Sequence, residues 1–169
     1  MSAPIDHNKS EIDRYDDALQ RASKWRGDCI QQFAELEKSI GDALQLIAAS
    51  RTSSKVKCNG LIRQQFDELK KLTSAKASKV HFVAKSLCEI DRLIEWRAHL
   101  THGILGVWQG SKGQWLLTLQ HRDANGGPLR LHALPWSEAE QKLELLSQEV
   151  DTFQKRVVSM NLVLNPKTA

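Results

Sequence analysis

Residues 92 to 103 read RLIEWRAHLTHG, two arginines, a glutamate and two histidines set among leucines. Such groups handle phosphates and protons. A guanidinium is planar, permanently charged and able to hold two phosphate oxygens together, and an imidazole exchanges its proton near neutrality. At about 100° per residue from Arg92, the side chains of Leu93, Trp96, Leu100, Ile90, Ile94 and Thr101 fall on one arc, with Arg97 inside it at roughly 140°. Arg92, Glu95, His99 and His102 gather on the opposite side, as a solvated or site-lining stripe would. Arg97 is therefore the anomaly. An arginine among buried apolar neighbours must meet a carboxylate, a phosphate or a subunit boundary, because an unpaired buried charge is strongly destabilising.

Glu95, His99 and His102 stand at i, i+4 and i+7, a spacing that could also present three ligands to zinc or iron. No fourth ligand is visible in the sequence, and Cys29, Cys58 and Cys88 are scattered. Pairing of Glu95 with Arg92 or His99 explains the carboxylate more simply, so the expectation is a site without metal or cofactor. His121 and His132 read as half-exposed strand residues, His81 as part of a basic face, and His7 as part of a frayed terminus. The glycines of GILGVWQGSKG, residues 103 to 113, lack the lysine and hydroxyl of a phosphate-binding loop, which argues against nucleotide hydrolysis.

The elements that must carry these groups are mainly helical. From Ile12 to Ile47, apolar residues including Tyr15, Leu19, Trp25, Cys29, Phe33, Leu36, Ile40 and Leu44 recur at steps of three and four, which predicts a helix of some 40 residues that Gly27 could bend or break. The serines and lysines of residues 50–59 predict a basic loop. A short helix should follow with Leu61, Ile62, Phe66, Leu69 and Leu72. A third, capped by Thr73 or Ser74, should carry Val80, Val83, Leu87, Ile90 and Ile94 to the motif and end at a left-handed Gly103. QWLLTLQH and LRLHAL flank the turn signal Asn-Gly-Gly-Pro and predict a β-hairpin within residues 107–134, with Val107 and Trp108 available for a further short strand. Ser137 and Glu140 form a potential capping box for a last helix through Leu143, Leu146, Val150, Phe153 and Val157. The sum is one mainly α domain over residues 1–169, a bundle of about four helices with a β-hairpin inserted before the last.

With 169 residues, 41% hydrophobic and 26% charged, the chain suits one core rather than two. Three cysteines without metal or redox spacing suggest free thiols in a reducing compartment, and no segment reaches the roughly 20 apolar residues of a membrane span. A cytoplasmic protein without a signal peptide is expected. The net charge of +4 is unevenly placed: nine Lys or Arg lie between Arg51 and Lys85 against only Asp67 and Glu68. Lys70, Lys71, Lys76 and Lys79 are the candidate contacts to a polyanion, although a solvated helix face accounts for such a run equally well.

The string Arg97-Ala98-His99-Leu100-Thr101-His102-Gly103 resembles the R-x4-H motif of the HEPN superfamily, and the order of a long first helix, a loop, a motif helix and a last helix resembles its bundles. The resemblance implies a HEPN-like fold, a homodimer with a composite cleft, and Arg97 and His102 as the catalytic pair with His99 and Glu95 beside them. It implies a metal-independent endoribonuclease, a toxin or phage-defence effector with RNA as substrate and an antitoxin or nucleotidyltransferase-like protein as partner. Where the family commonly has a polar residue, this chain has Ala98, and the alternative is an inactive module that binds RNA or a protein.

Transesterification of RNA suits these groups. Attack of a 2′-hydroxyl on the adjacent phosphate needs a proton acceptor, a proton donor and positive charge for the phosphorane, and its need for the 2′-hydroxyl restricts it to RNA. On an ideal helix, however, Arg97 and His102 lie about 140° apart. Unwinding before Gly103 could bring them together, or two motif helices could pool their pairs across a two-fold axis, with the arc of Leu93, Trp96 and Leu100 at the subunit boundary.

Overall fold

A computed structural model describes residues 10–50, 56–74, 79–122 and 128–165. The first helix, α1 (Glu11–Ser50), begins at a capping box: Ser10 Oγ accepts from the Asp13 N–H while Asp13 Oδ2 accepts from the Ser10 N–H, both at 3.1 Å. Its buried stripe runs from Ala18 through Trp25, Cys29, Phe33, Leu36, Ile40 and Leu44 to Ile47. Ile12 lies outside this stripe and is exposed. Gly27 does not interrupt the helix, because the anchors on either side, Trp25 and Cys29, are both buried and Gly27 itself faces open space.

Of the expected basic loop, residues 51–55 lie outside the described residues and 56–61 are non-helical. Helix α2 (Ile62–Ser74) buries Phe66, Leu69 and Thr73. Thr73 and Ser74 close this helix rather than cap the next: the Thr73 hydroxyl donates to the Leu69 carbonyl at 2.9 Å and the Ser74 hydroxyl to that of Lys70. A single 3-10 turn (His81–Val83) leads into α3 (Ala84–His102), which carries the motif.

Three antiparallel strands follow in the order β1 (Ile104–Gln109), β2 (Trp115–Arg122) and β3 (Leu129–Pro135). The further strand expected at Val107 and Trp108 is β1, longer than those two residues suggest, and all of it pairs with β2, from Ile104 opposite Gln120 to Gln109 opposite Trp115. Leu117, Leu119 and His121 alternate inward on β2, and Leu134 of β3 joins them opposite Leu117. The residue opposite Leu119 is His132.

Helix α4 (Trp136–Leu164) packs chiefly against α1 through Ala139, Leu146, Val150, Phe153, Val157 and Met160. The capping box expected at Ser137 does not form. Pro135 occupies the N-cap with no side-chain cap, and Ser137 is already inside the helix; Glu140 pairs instead with Arg21 of α1. Trp25 Nε1 donates to the Ala139 carbonyl at 2.7 Å, fixing α1 to the start of α4. The described residues therefore form a mainly helical bundle with a small antiparallel sheet before the last helix, and no helix among them is long and apolar enough to cross a membrane.

Candidate functional site

Helix α3 stays α-helical through His102, so the motif is not unwound. Its arc of Leu93, Trp96 and Leu100 faces the bundle interior. Leu100 is fully buried, and Trp96 lies 5.7 Å from Trp25 and 6.3 Å from Phe33 between ring centroids. The subunit-boundary reading of this arc is corrected accordingly: the surface it meets is α1 of the same chain, because the aromatic stripe of α1 is complementary to it. Arg97, at the edge of the arc, finds its carboxylate there, with Nη2 2.5 Å from Oε1 of Glu37 and both side chains about one-third exposed.

Arg97 and His102 nevertheless open onto one cavity of about 550 Å3. Ile94 and Ala98 lie between them on the helix surface and also line it, so the angular separation becomes the width of the cavity. Glu37 supplies the α1 wall, and Gly60, Leu61, Ile62 and Arg63, at the entry to α2, supply the third. Ala98 matters here by being small, since a longer side chain would project between the arginine and the histidine. The last turn of α3 is tied down by Arg26, whose Nη2 donates to the Thr101 carbonyl at 3.2 Å, and by the Thr101 hydroxyl donating to the Arg97 carbonyl at 3.0 Å.

Arg63 brings a second guanidinium to the cavity, held by Asp91 at 2.8 Å and Asp67 at 3.3 Å. Asp91 also accepts from Lys70 at 2.8 Å. That hydrogen bond raises the Lys70 ammonium above its ordinary value and, with the charge of Arg63, holds the Asp91 carboxyl below the usual carboxylate range. Of the lysines expected to contact a polyanion, Lys70 is thus already matched to a carboxylate, Lys71 and Lys79 are exposed, and Lys76 lies outside the described residues. Cys29 offers no nucleophile: it is fully buried, and burial pushes its thiol up to about 12.

His99 does not join Arg97 and His102. It sits about 60° further round α3 than His102 and turns toward the sheet, where its ring stacks on His121 at 3.9 Å and on His132 at 5.2 Å between centroids. The His121 and His132 rings are 5.4 Å apart and nearly parallel. Nitrogen atoms from the three imidazoles lie within 4.8 Å of one another. His121 is buried, His99 half-buried and His132 exposed, so the half-exposed strand reading fails for His121. The helical set of Glu95, His99 and His102 is divided between two places, since His102 lines the cavity and His99 faces the sheet; Glu95 belongs to the α3 backbone.

Sequence reasoning missed Glu37, Arg63 and the convergence of His121 and His132 on His99. Glu37 carried a faint signal, a charge one position after buried Leu36 on the packing stripe. The two histidines carried another: inward-facing positions on two strands joined by a strong turn are near neighbours across the ladder. No protein-family model matches the chain, and neither a curated protein nor a solved structure matches it.

Proposed function

We propose that this protein is a metal-independent endoribonuclease of HEPN type acting at the cavity between α1, α2 and α3. The observation that carries the reading is that Arg97 and His102 line the same cavity as a carboxylate, Glu37. The α1 and α3 walls thereby supply the three functions that RNA transesterification requires. Glu37 takes the proton from the 2′-hydroxyl as the O2′–P bond forms. Arg97 holds the phosphorane oxygens, with Arg63 as a second cation. Protonated His102 delivers its proton to O5′ as the P–O5′ bond breaks, leaving a 2′,3′-cyclic phosphate and a 5′-hydroxyl. Leu61, Ile62 and Ile94 give the cavity an apolar wall against which a base can rest.

The Glu37 pairing preorganises Arg97 in the absence of substrate, and an incoming phosphate competes with the carboxylate for the same guanidinium. Exposed Lys71 and Lys79 extend the positive charge along the RNA. A second copy of this chain and an antitoxin or nucleotidyltransferase-like protein are the proposed protein partners. The dimer would use a surface other than the Trp96 arc. The competing reading is a silent RNA-binding module, favoured by the one-to-one matching of Arg97 by Glu37 and by the apolar Ala98.

Cleavage of a mixed single-stranded RNA pool decides between them. The wild-type protein is expected to cut in the presence of a chelator, to leave 2′,3′-cyclic ends, and to fail on a substrate with a single 2′-deoxy substitution at the cleaved nucleotide. His102→Ala and Glu37→Gln should each slow the reaction by roughly 10²-fold or more while the folded state persists. A folded wild-type protein that binds RNA and leaves it intact would establish the silent module instead.

A further inference from the structure

On the other side of α3, three imidazoles converge from three elements. His99 comes from the last turn of α3, His121 from the end of β2 and His132 from the middle of β3. The strand register explains two of them: His132 stands opposite Leu119, and His121 lies two residues beyond Leu119 on the same face, which makes a diagonal cross-strand pair. The third is brought in by Gly103. A Cβ at that position would stand 2.3 Å from the His99 carbonyl oxygen and 3.2 Å from that of Gln120, so glycine fits where the chain leaves α3 beside β2 and a side chain does not.

We propose that His99, His121 and His132 bind one divalent transition-metal ion of the zinc class, a site separate from the Arg97 cavity and independent of the ribonuclease reading. Each imidazole can offer one in-plane nitrogen lone pair to an ion, and three such nitrogens from three elements lie within 4.8 Å of one another. A tetrahedral zinc ion with Zn–N bonds of about 2.0–2.1 Å needs ligand nitrogens roughly 3.4 Å apart. The nitrogens lie within 4.8 Å of one another, so binding would draw them inward and turn the nearly parallel rings about χ2 until their in-plane lone pairs face one ion. An all-nitrogen set suits zinc, cobalt, nickel or copper and not magnesium or calcium, which take oxygen ligands. Because His132 is exposed, the fourth position faces solvent and would hold water. The ion would join α3 to two strands of the sheet.

The test uses full-length protein without a polyhistidine tag, stripped with a chelator and then dialysed. Calorimetric titration with Zn2+ should show one equivalent bound, Zn2+ should raise the unfolding midpoint in a concentration-dependent way, and Co2+ should give the intense visible bands of a four-coordinate ion. His132→Ala, whose exposure makes it safe for folding, should weaken Zn2+ by at least about 100-fold, since losing even a residue that only supports a ligand costs 10–100-fold. His121→Gln should do the same, with circular dichroism confirming the fold. His102→Ala should leave Zn2+ affinity unchanged, which separates this set from one built along the helix. Absence of saturable Zn2+ binding by the folded wild type, or full retention of it in His132→Ala, overturns the proposal. Neither result bears on RNA cleavage in chelator, so the two readings fail separately.

Discussion

On one side of α3, Arg97 and His102 open onto a cavity walled by α1 and the entry to α2; on the other, His99 stacks with His121 and His132 of the sheet. The same helix turn builds both, yet by different physics. In the cavity each guanidinium is matched by carboxylates, Arg97 by Glu37 and Arg63 by Asp67 and Asp91, and the side chains remain partly solvated. The histidine cluster depends instead on backbone approach and ring packing, with His121 buried. One side is tuned by electrostatics and the other by sterics, and substitutions should separate them.

The largest effect should come from Gly103→Val, which attacks the steric side. The new Cβ would stand against backbone oxygens of both α3 and β2, neither of which can swing aside as a flexible side chain would. A loss of about 3 kcal/mol or more is expected, read as a lowered midpoint in urea, together with loss of Zn2+ binding. A variant as stable as wild type would show that the α3–β2 approach is not what assembles the cluster.

Trp96→Glu should come next and strike both sides, since Trp96 wedges α3 onto Trp25 and Phe33. A carboxylate there should cost about 3 kcal/mol and lower the melting temperature regardless of protein concentration. Simple conversion of a dimer to a stable monomer, seen by light scattering, would contradict the inward orientation of the arc.

Arg97→Ala should spare the histidine side. Because the Arg97–Glu37 pair is about one-third exposed, its loss should cost only about 1 kcal/mol or less of stability, while RNA cleavage should fall by roughly 10²-fold and Zn2+ affinity should hold. Equal losses of stability and Zn2+ binding would mean that the two sides are coupled through the helix.

Asp91→Asn should have the smallest effect and sharpen the electrostatic side alone. It releases Lys70 and Arg63 from their shared carboxylate, so RNA should bind more tightly and with a steeper dependence on salt. The pH dependence has a defined sign. Asp91 is depressed in the folded state, so its contribution is present above the unfolded carboxylate value and lost as pH falls through the lower folded one. Lys70 is raised, so its contribution is present below its unfolded value and lost as pH rises through the higher folded one. The stability gap between wild type and Asp91→Asn, tracked by denaturation across pH, should therefore close in acid and narrow in alkali, where Lys70 is lost as a partner and Arg63 remains. A gap constant into strong acid would show that the pairing is absent in solution.

Local pattern sufficed for the elements that bury a continuous stripe. Periodicity placed α1, α2, α3 and α4, and alternation with Asn-Gly-Gly-Pro placed β2 and β3, because burial of one face imposes a period that the residues themselves display. It also singled out Arg97 as a charge needing a partner. Helix ends were less legible. Ser137 had the residues for a cap and Ser10 had the geometry, since a cap depends on where the chain turns as well as on the residue three positions later. Gly103 was legible as special, but for another reason: its φ of −78° and ψ of 149° are extended rather than left-handed, and what excludes a side chain is the closeness of two backbones.

By itself the sequence determined a mainly helical chain, an inserted run of strands and an arginine that had to be neutralised, all of which come from side-chain chemistry and near-neighbour spacing. Only the tertiary structure decided which carboxylate neutralises it, which way the Trp96 arc faces, and that His99 leaves its helix neighbours for two strand histidines. Those outcomes are contacts between residues far apart in the chain, such as Glu37 with Arg97 or His99 with His132, and no local period encodes them. They arise when the helices pack and the sheet docks, as burial selects one mutual arrangement from the many that the same stripes would permit.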